Sequence, residues 1–157
     1  MSLSEIGAAI GARALRTRTL VRAPIGVYRA GWGRVFGSRL LMLEHTGRRS
    51  GALRHVVLEV VDHPAPDEYV IVSGFGERAQ WYRNIRAQPK VRVWIGTHRG
   101  LPATATPMTD QQSRDALARY VAAHPRAWKN LRATIERATG EPVHTLPMVL
   151  LRTNRSR

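Results

Sequence analysis

The chain has no cysteine, which excludes disulfide staples, thiolate metal sites and a cysteine nucleophile and leaves the fold to rest on packing. Acidic residues are scarce, 11 against 25 basic ones, giving a net charge of +14. Lysine is nearly missing too: apart from Lys90 and Lys129 every basic residue is arginine. A field of that sign attracts anions of any class, including nucleic acid, acidic lipid headgroups and polyanionic cofactors. No apolar run approaches the roughly 18 residues that a bilayer span requires. Glu5, Arg13, Arg16 and Arg18 interrupt the first twenty residues, which lack the apolar core of a secretory signal, so the expected location is cytoplasmic.

Several catalytic signatures are absent as well. His45, His55, His63, His98, His124 and His144 form no His-Glu-x-x-His pattern and no close cluster with carboxylates, so no metal site is expected. Neither GRRSG nor SGFG fits the Gly-x-Ser-x-Gly elbow of a serine hydrolase. No Gly-Lys-Ser/Thr step follows a glycine-rich loop, and no Gly-x-Gly-x-x-Gly leads from a strand into a helix. Phosphate, if bound, is gripped in another way.

What is present centres on two stretches. Leu40 to Arg54, LLMLEHTGRRSGALR, reads as two apolar runs joined by a polar, doubly basic hairpin tip. Gly47 and Gly51 suit positive φ, Thr46 and Ser50 bring hydroxyls, and Arg48, Arg49 and Arg54 bring planar forks matched to phosphate or carboxylate. A solvated turn on a basic protein is the plainer reading of the same residues. In Val70 to Val93 a strand leads into the loop Ser73-Gly74-Phe75-Gly76, and a short helix over Ala79–Ala87 stops before Pro89. Helical spacing places Trp81 over Ile85 and Arg83 near Arg86, an aromatic beside guanidinium groups that suits a flat anion; ordinary core packing of Trp81 and Ile85 is the alternative.

The chain is the size of one domain. We expect a helical arm over residues 1–37, a barrel core over 38–152 and a frayed tail over 153–157. The arm carries two amphipathic segments, the second with Tyr28 and Trp32 among its aromatics. It packs across the barrel or, in the sharper reading, rests on an anionic membrane at the inner face. Strands are expected over Leu40–His45, Leu53–Val61, Glu68–Ser73, Pro89–Ile95, Gly100–Pro107 and Leu146–Arg152, a set that suits a small barrel. Asp62–Asp67 reads as a turn and Gly96–Gly100 as a hairpin loop. Thr109 caps a helix through a Thr-x-x-Gln box; Pro125 starts another that Gly140 ends.

Three motifs, TGRRSG, the serine loop VSGFG and WYRNIRAQP, occur in order and are followed by the strand KVRVWIG. In these the chain resembles the deazaflavin (coenzyme F-420)-dependent nitroreductase family over roughly residues 38–152. The resemblance implies an α+β fold built on a six-stranded antiparallel split β-barrel of the FMN-binding type, with two helices before the last strand. It also implies hydride transfer from reduced coenzyme F-420, an 8-hydroxy-5-deazaflavin, to a small electron-poor acceptor such as a quinone, enone or nitro compound. Arg48, Arg49, Ser50 and Arg54 would hold the coenzyme's phosphate and acidic tail. His55, Val56, Val57, Leu58 and Glu59, with Val72, Ser73 and Gly74, would line its ring mostly through backbone, and Gln80, Trp81, Tyr82, Arg83 and Asn84 would wall it.

The chain departs from the family pattern in two places. Gly74 and Phe75 follow the loop serine, with a short link to Trp81, and the segment before the last strand carries His124 and Trp128 where relatives have tyrosines. His124, Trp128, Tyr28 and Trp32 are therefore the expected acceptor side. The rival readings are an FMN-binding split-barrel reductase, since the arginine-rich turn suits FMN phosphate equally, and a non-catalytic basic module that holds nucleic acid or anionic lipid. No RNP-like aromatic pair or DNA-binding pattern is present, so nucleic acid is not the expected partner, and a homodimer stays open.

Overall fold

The computed structural model describes residues 39–154. Six strands lie among these residues: β1 (Leu40–Thr46), β2 (Leu53–Ala65), β3 (Glu68–Val72), β4 (Lys90–Ile95), β5 (His98–Pro107) and β6 (Met148–Thr153). All pairings are antiparallel and the order β1-β2-β3-β6-β5-β4 closes on itself through β1 and β4. Closure leaves no unpaired edge. Three α-helices join it: α1 (Gln80–Ala87), α2 (Asp110–Ala123) and α3 (Pro125–Thr139).

Two cores follow from strand alternation. Leu41 and Leu43 of β1, Leu58, Tyr69, Ile71, Val91, Val93 and Leu151 fill the barrel, and Trp81, Tyr82 and Ile85 of α1 join them as its plug. On β3 the intervening residues Val70 and Val72 face outward and are covered, with Val61 and Met148, by Ala116 and Tyr120 of α2 and Ile135 of α3. Buried on both faces, β3 reads in sequence as an unbroken apolar run.

Sequence and structure differ at three boundaries. β2 runs to Ala65 through irregularities at Val60/Asp62 and Asp62/Ala65, so the turn shrinks to Pro66 and Asp67. Such bulges break the period-two signal. The β4–β5 loop is only Gly96 and Thr97, with Gly96 at φ 56° opening it and Ile95 paired to His98. The frayed tail is also corrected at its start: Thr153 closes β6, buried, its N–H donating to Asp67 O at 2.7 Å, and Asn154 N donates to Pro102 O at 2.8 Å. The helix signals hold, including the Thr109–Gln112 capping box and Gly140 at φ 75°. The helical arm, with Tyr28 and Trp32, lies outside the described residues, among which no helix is long and apolar enough to cross a membrane.

Candidate functional site

The hairpin tip between β1 and β2 folds on itself through Gly51 N to Gly47 O and Gly47 N to Ala52 O, both 2.8 Å. Its glycines serve different ends. Gly51 sits at φ 70°. Gly47 does not have positive φ; a Cβ there would lie 2.8 Å from Ser50 Oγ and 3.3 Å from both Ala52 O and Arg54 Nε. Gly47 thus lets the Arg54 side chain lie against the tip. Ser50 Oγ accepts from Ala52 N at 3.2 Å, which shapes the turn.

The tip is docked on α1. Arg48 donates to Asn84 Oδ1 twice, from its backbone N–H at 3.1 Å and from Nη1 at 2.9 Å, and Nη1 also reaches Gln80 Oε1 at 3.0 Å. Two donors on one oxygen fix the orientation of the buried Asn84 amide. Its Nδ2 therefore donates to Nδ1 of His45 at 3.1 Å. His45 must be unprotonated at Nδ1 and carry its hydrogen on Nε2, and among the described residues no hydrogen-bond acceptor meets that N–H. The ring is 4 % exposed. Burial first, then the charges of His55 and Arg54, hold its pKa down at about 4, so it is neutral at ordinary pH.

His45 lines a cleft of about 1040 Å³ at the barrel end. One wall is the start of β2, Arg54 to Val56, with Arg54 the direct cross-strand partner of His45. Another is Phe75 to Ala79, containing the 3₁₀ turn Gly76–Arg78, and runs into Gln80 and Trp81 of α1. The third is the C-terminal end of α3, Ala138 and Thr139, with Glu141 beyond it. His55 makes a 3.0 Å pair with Glu44 and meets Trp94 edge-on with ring centroids 6.2 Å apart. Trp81 is shared between the barrel core and the cleft wall.

Of the residues singled out in the sequence, Arg54, His55, Val56, Gln80 and Trp81 line this cleft. Arg48 and Asn84 stand behind it, linked to His45. Arg49 and Ser50 are exposed on the tip and Arg83 is exposed on α1. Leu58 and Tyr82 point into the barrel. Val57 is half-buried and outside the lining. Glu59 lies under α2, accepting from Tyr120 OH at 2.7 Å. Val72 is packed under α2 and α3. Ser73 is fully buried and donates to Gly76 O at 2.6 Å, closing its own loop, while Gly74 leaves room for Ile135, whose Cγ1 would be 3.2 Å from an added Cβ.

The expected acceptor side is not assembled at the cleft by the described residues. His124 caps the start of α3 and its ring meets that of Tyr120 at 5.5 Å, and Trp128 packs on the outer core. The cleft touches α3 at its other end, about 15 to 20 Å along the axis. His45, Phe75, Arg78, Thr139 and Glu141 also line the cleft and are not among the site residues expected from sequence. His45 left one usable trace, a polar residue at the inward register of Leu41 and Leu43.

A family model described as F420H(2)-dependent quinone reductase matches residues 16–139. No curated protein matches the chain. Among solved structures, an F420-H2 dependent reductase (FDR-A) is 25 % identical over 72 % of this chain and 93 % of its own, with a TM-score of 0.50. A chain described as a domain-swapped dimer is 21 % identical over 82 % of this chain and 92 % of its own, at TM-score 0.54. The heme storage protein HutZ from Vibrio cholerae is 11 % identical over 87 % and 92 %, at TM-score 0.52, a likeness of fold alone.

Proposed function

This chain belongs to the F420H(2)-dependent quinone reductase family, and on that footing we propose that coenzyme F-420 binds in the cleft beside His45 and that hydride passes there to an uncharged quinone. Membership makes the chain an oxidoreductase that works with this deazaflavin, and sets aside the non-catalytic basic module.

The observation that carries the local reading is the make-up of the cleft. Val56, Phe75 and Trp81 give it apolar and aromatic walls, Arg54 and Arg78 give it guanidinium groups, and a buried imidazole N–H lies in its lining with no acceptor among the described residues. Its volume, about 1040 Å³, is that of a cofactor site. A flat heterocycle with polar edges and an anionic tail fits those groups. Arg54 and Arg78 hold the acidic end, with Arg49 and Ser50 on the neighbouring tip available to the outer tail. Each charge-assisted contact contributes about 1.5 to 3 kcal/mol. Arg48 is already bound to Asn84 and Gln80.

The bound coenzyme supplies the hydride chemistry, which asks the protein chiefly for position, dryness and electrostatics. Trp81 and Val56 keep water from the inner end, and Phe75, 42 % exposed, stands at the mouth. Glu77 and Glu141 also line the cleft. Their charge disfavours a second anion there and suits a neutral acceptor.

The test is reoxidation of reduced coenzyme F-420 by menadione, followed by the return of the oxidised coenzyme's absorbance. The rate should scale with protein concentration and saturate in quinone. Oxidation no faster than without protein overturns the reading, and activity with reduced FMN in place of F-420 would favour the flavin alternative.

A further inference from the structure

The coenzyme cleft contains a hydrogen-bond donor whose direction is set from outside it. The geometry points to His45 as a ligand-contacting residue: its Nε2–H donates to a carbonyl oxygen of the bound molecules, and Arg48 and Asn84 are positioning residues that hold the ring in the tautomer required. The inference rests on the cofactor reading above and adds to it the recognised group, a neutral carbonyl.

Four observations lead there. Arg48 has only donors to offer, so Asn84 Oδ1 faces it through two hydrogen bonds of 3.1 and 2.9 Å. Asn84 then has only N–H to offer His45, and its 3.1 Å bond makes Nδ1 the acceptor. The hydrogen is left on Nε2 of a ring 4 % exposed, in the cleft lining, with no acceptor among the described residues. Leaving a buried donor unmet is costly, and a ligand oxygen removes that cost. An anionic partner is not required: burial first, then the charges of His55 and Arg54, keep the ring neutral, so it donates without carrying charge.

A carbonyl could come from the pyrimidine edge of the coenzyme or from the quinone, and the experiment separates them. Wild type, His45→Leu and Asn84→Asp are titrated with oxidised coenzyme F-420 by fluorescence quenching between pH 5 and 9, and the KM for menadione is measured alongside. If the coenzyme supplies the oxygen, His45→Leu weakens its uptake about tenfold; if the quinone does, uptake is unchanged and KM rises about tenfold. Neither moving, with wild type binding normally, overturns this inference alone. Wild type failing to bind coenzyme overturns the cofactor reading and this one with it.

Asn84→Asp supplies a readout that a merely structural role does not produce. The carboxylate of that variant still accepts from Arg48, but it now accepts from His45 Nδ1 as well. Nε2 then keeps its hydrogen only while the ring is a cation. The affected property, coenzyme affinity or quinone KM, should therefore worsen relative to wild type as pH rises and His45 loses its proton. Arg48, Arg54, His55, Glu77, Arg78 and Glu141 are the charged or titratable groups around the ring and cleft, common to both proteins, so the ratio isolates His45. A ratio that stays flat from pH 5 to 9 contradicts the tautomer argument. Nitrogen-15 NMR of the free wild type should show a neutral His45 protonated at Nε2, and a proton on Nδ1 overturns the inference.

Discussion

Asn84 donates to Nδ1 of His45 at 3.1 Å across 39 residues of chain. That bond ties α1 to the end of β1, and because Asn84 also accepts from Arg48, it ties the basic hairpin tip to both. The tip is thereby an anchored element of the barrel end.

Truncating Asn84 leaves the part-buried backbone N–H of Arg48 and the buried His45 Nδ1 unmet, while Arg48 Nη1 keeps Gln80. Asn84→Ala should lower unfolding free energy by about 1 to 3 kcal/mol. Urea denaturation of both proteins measures it, and an unchanged midpoint would show that the chain of bonds adds nothing to stability.

Arg48→Lys retains the charge and loses the planar fork. Lysine cannot reproduce the guanidinium geometry that meets Gln80 and Asn84 together. Coenzyme affinity should fall about as far as in Arg48→Ala, by several-fold. Full retention with lysine would mean that only the charge at this position matters.

The two tip glycines separate backbone strain from crowding. Gly51→Ala places a side chain at φ 70° in open space and should cost about 1 to 2 kcal/mol of stability with coenzyme affinity retained. Gly47→Ala pushes on Ser50, Ala52 O and the Arg54 side chain, so its larger effect should be on affinity. Thermal melts and coenzyme titration of both variants check this pair.

Two buried groups bend stability against pH in opposite senses. His45, held at about 4 against 6.5 unfolded, contributes stability that is present above pH 6.5 and lost as pH falls through 4. Glu59 is raised above 4.5, first by burial, so its contribution is present below pH 4.5 and lost as pH rises through its folded value. Unfolding midpoints across pH 4 to 8 should show His45→Leu less sensitive to acid, and Glu59→Gln gaining relative to wild type above pH 4.5.

Strands were legible where one face meets a core, which stamps period two on β4 and β5, and where an apolar run marks burial on both faces, as in β3. β2 escaped beyond Val61 because its bulges shift the register. The tip and α1 stood out by their motifs, but the sequence could not show that Arg48 is spent on Asn84, a contact between residues 36 apart. His45 looked like the last residue of a strand. Its meaning depends on α1 docking beside it. His124 and Trp128 lie on the segment before β6 as expected, yet the 15-residue length of α3 carries them away from the cleft, which receives Thr139 and Glu141 instead. Distance along a helix, invisible in composition, decides that point.

The central claim, that the cleft walled by β2, the Phe75–Ala79 loop and the end of α3 binds the deazaflavin, is tested most directly by titrating wild type and Arg54→Ala with oxidised coenzyme F-420. Saturable micromolar quenching that weakens about tenfold in Arg54→Ala is the predicted result. No saturation in wild type, or equal affinity in the two proteins, would contradict it.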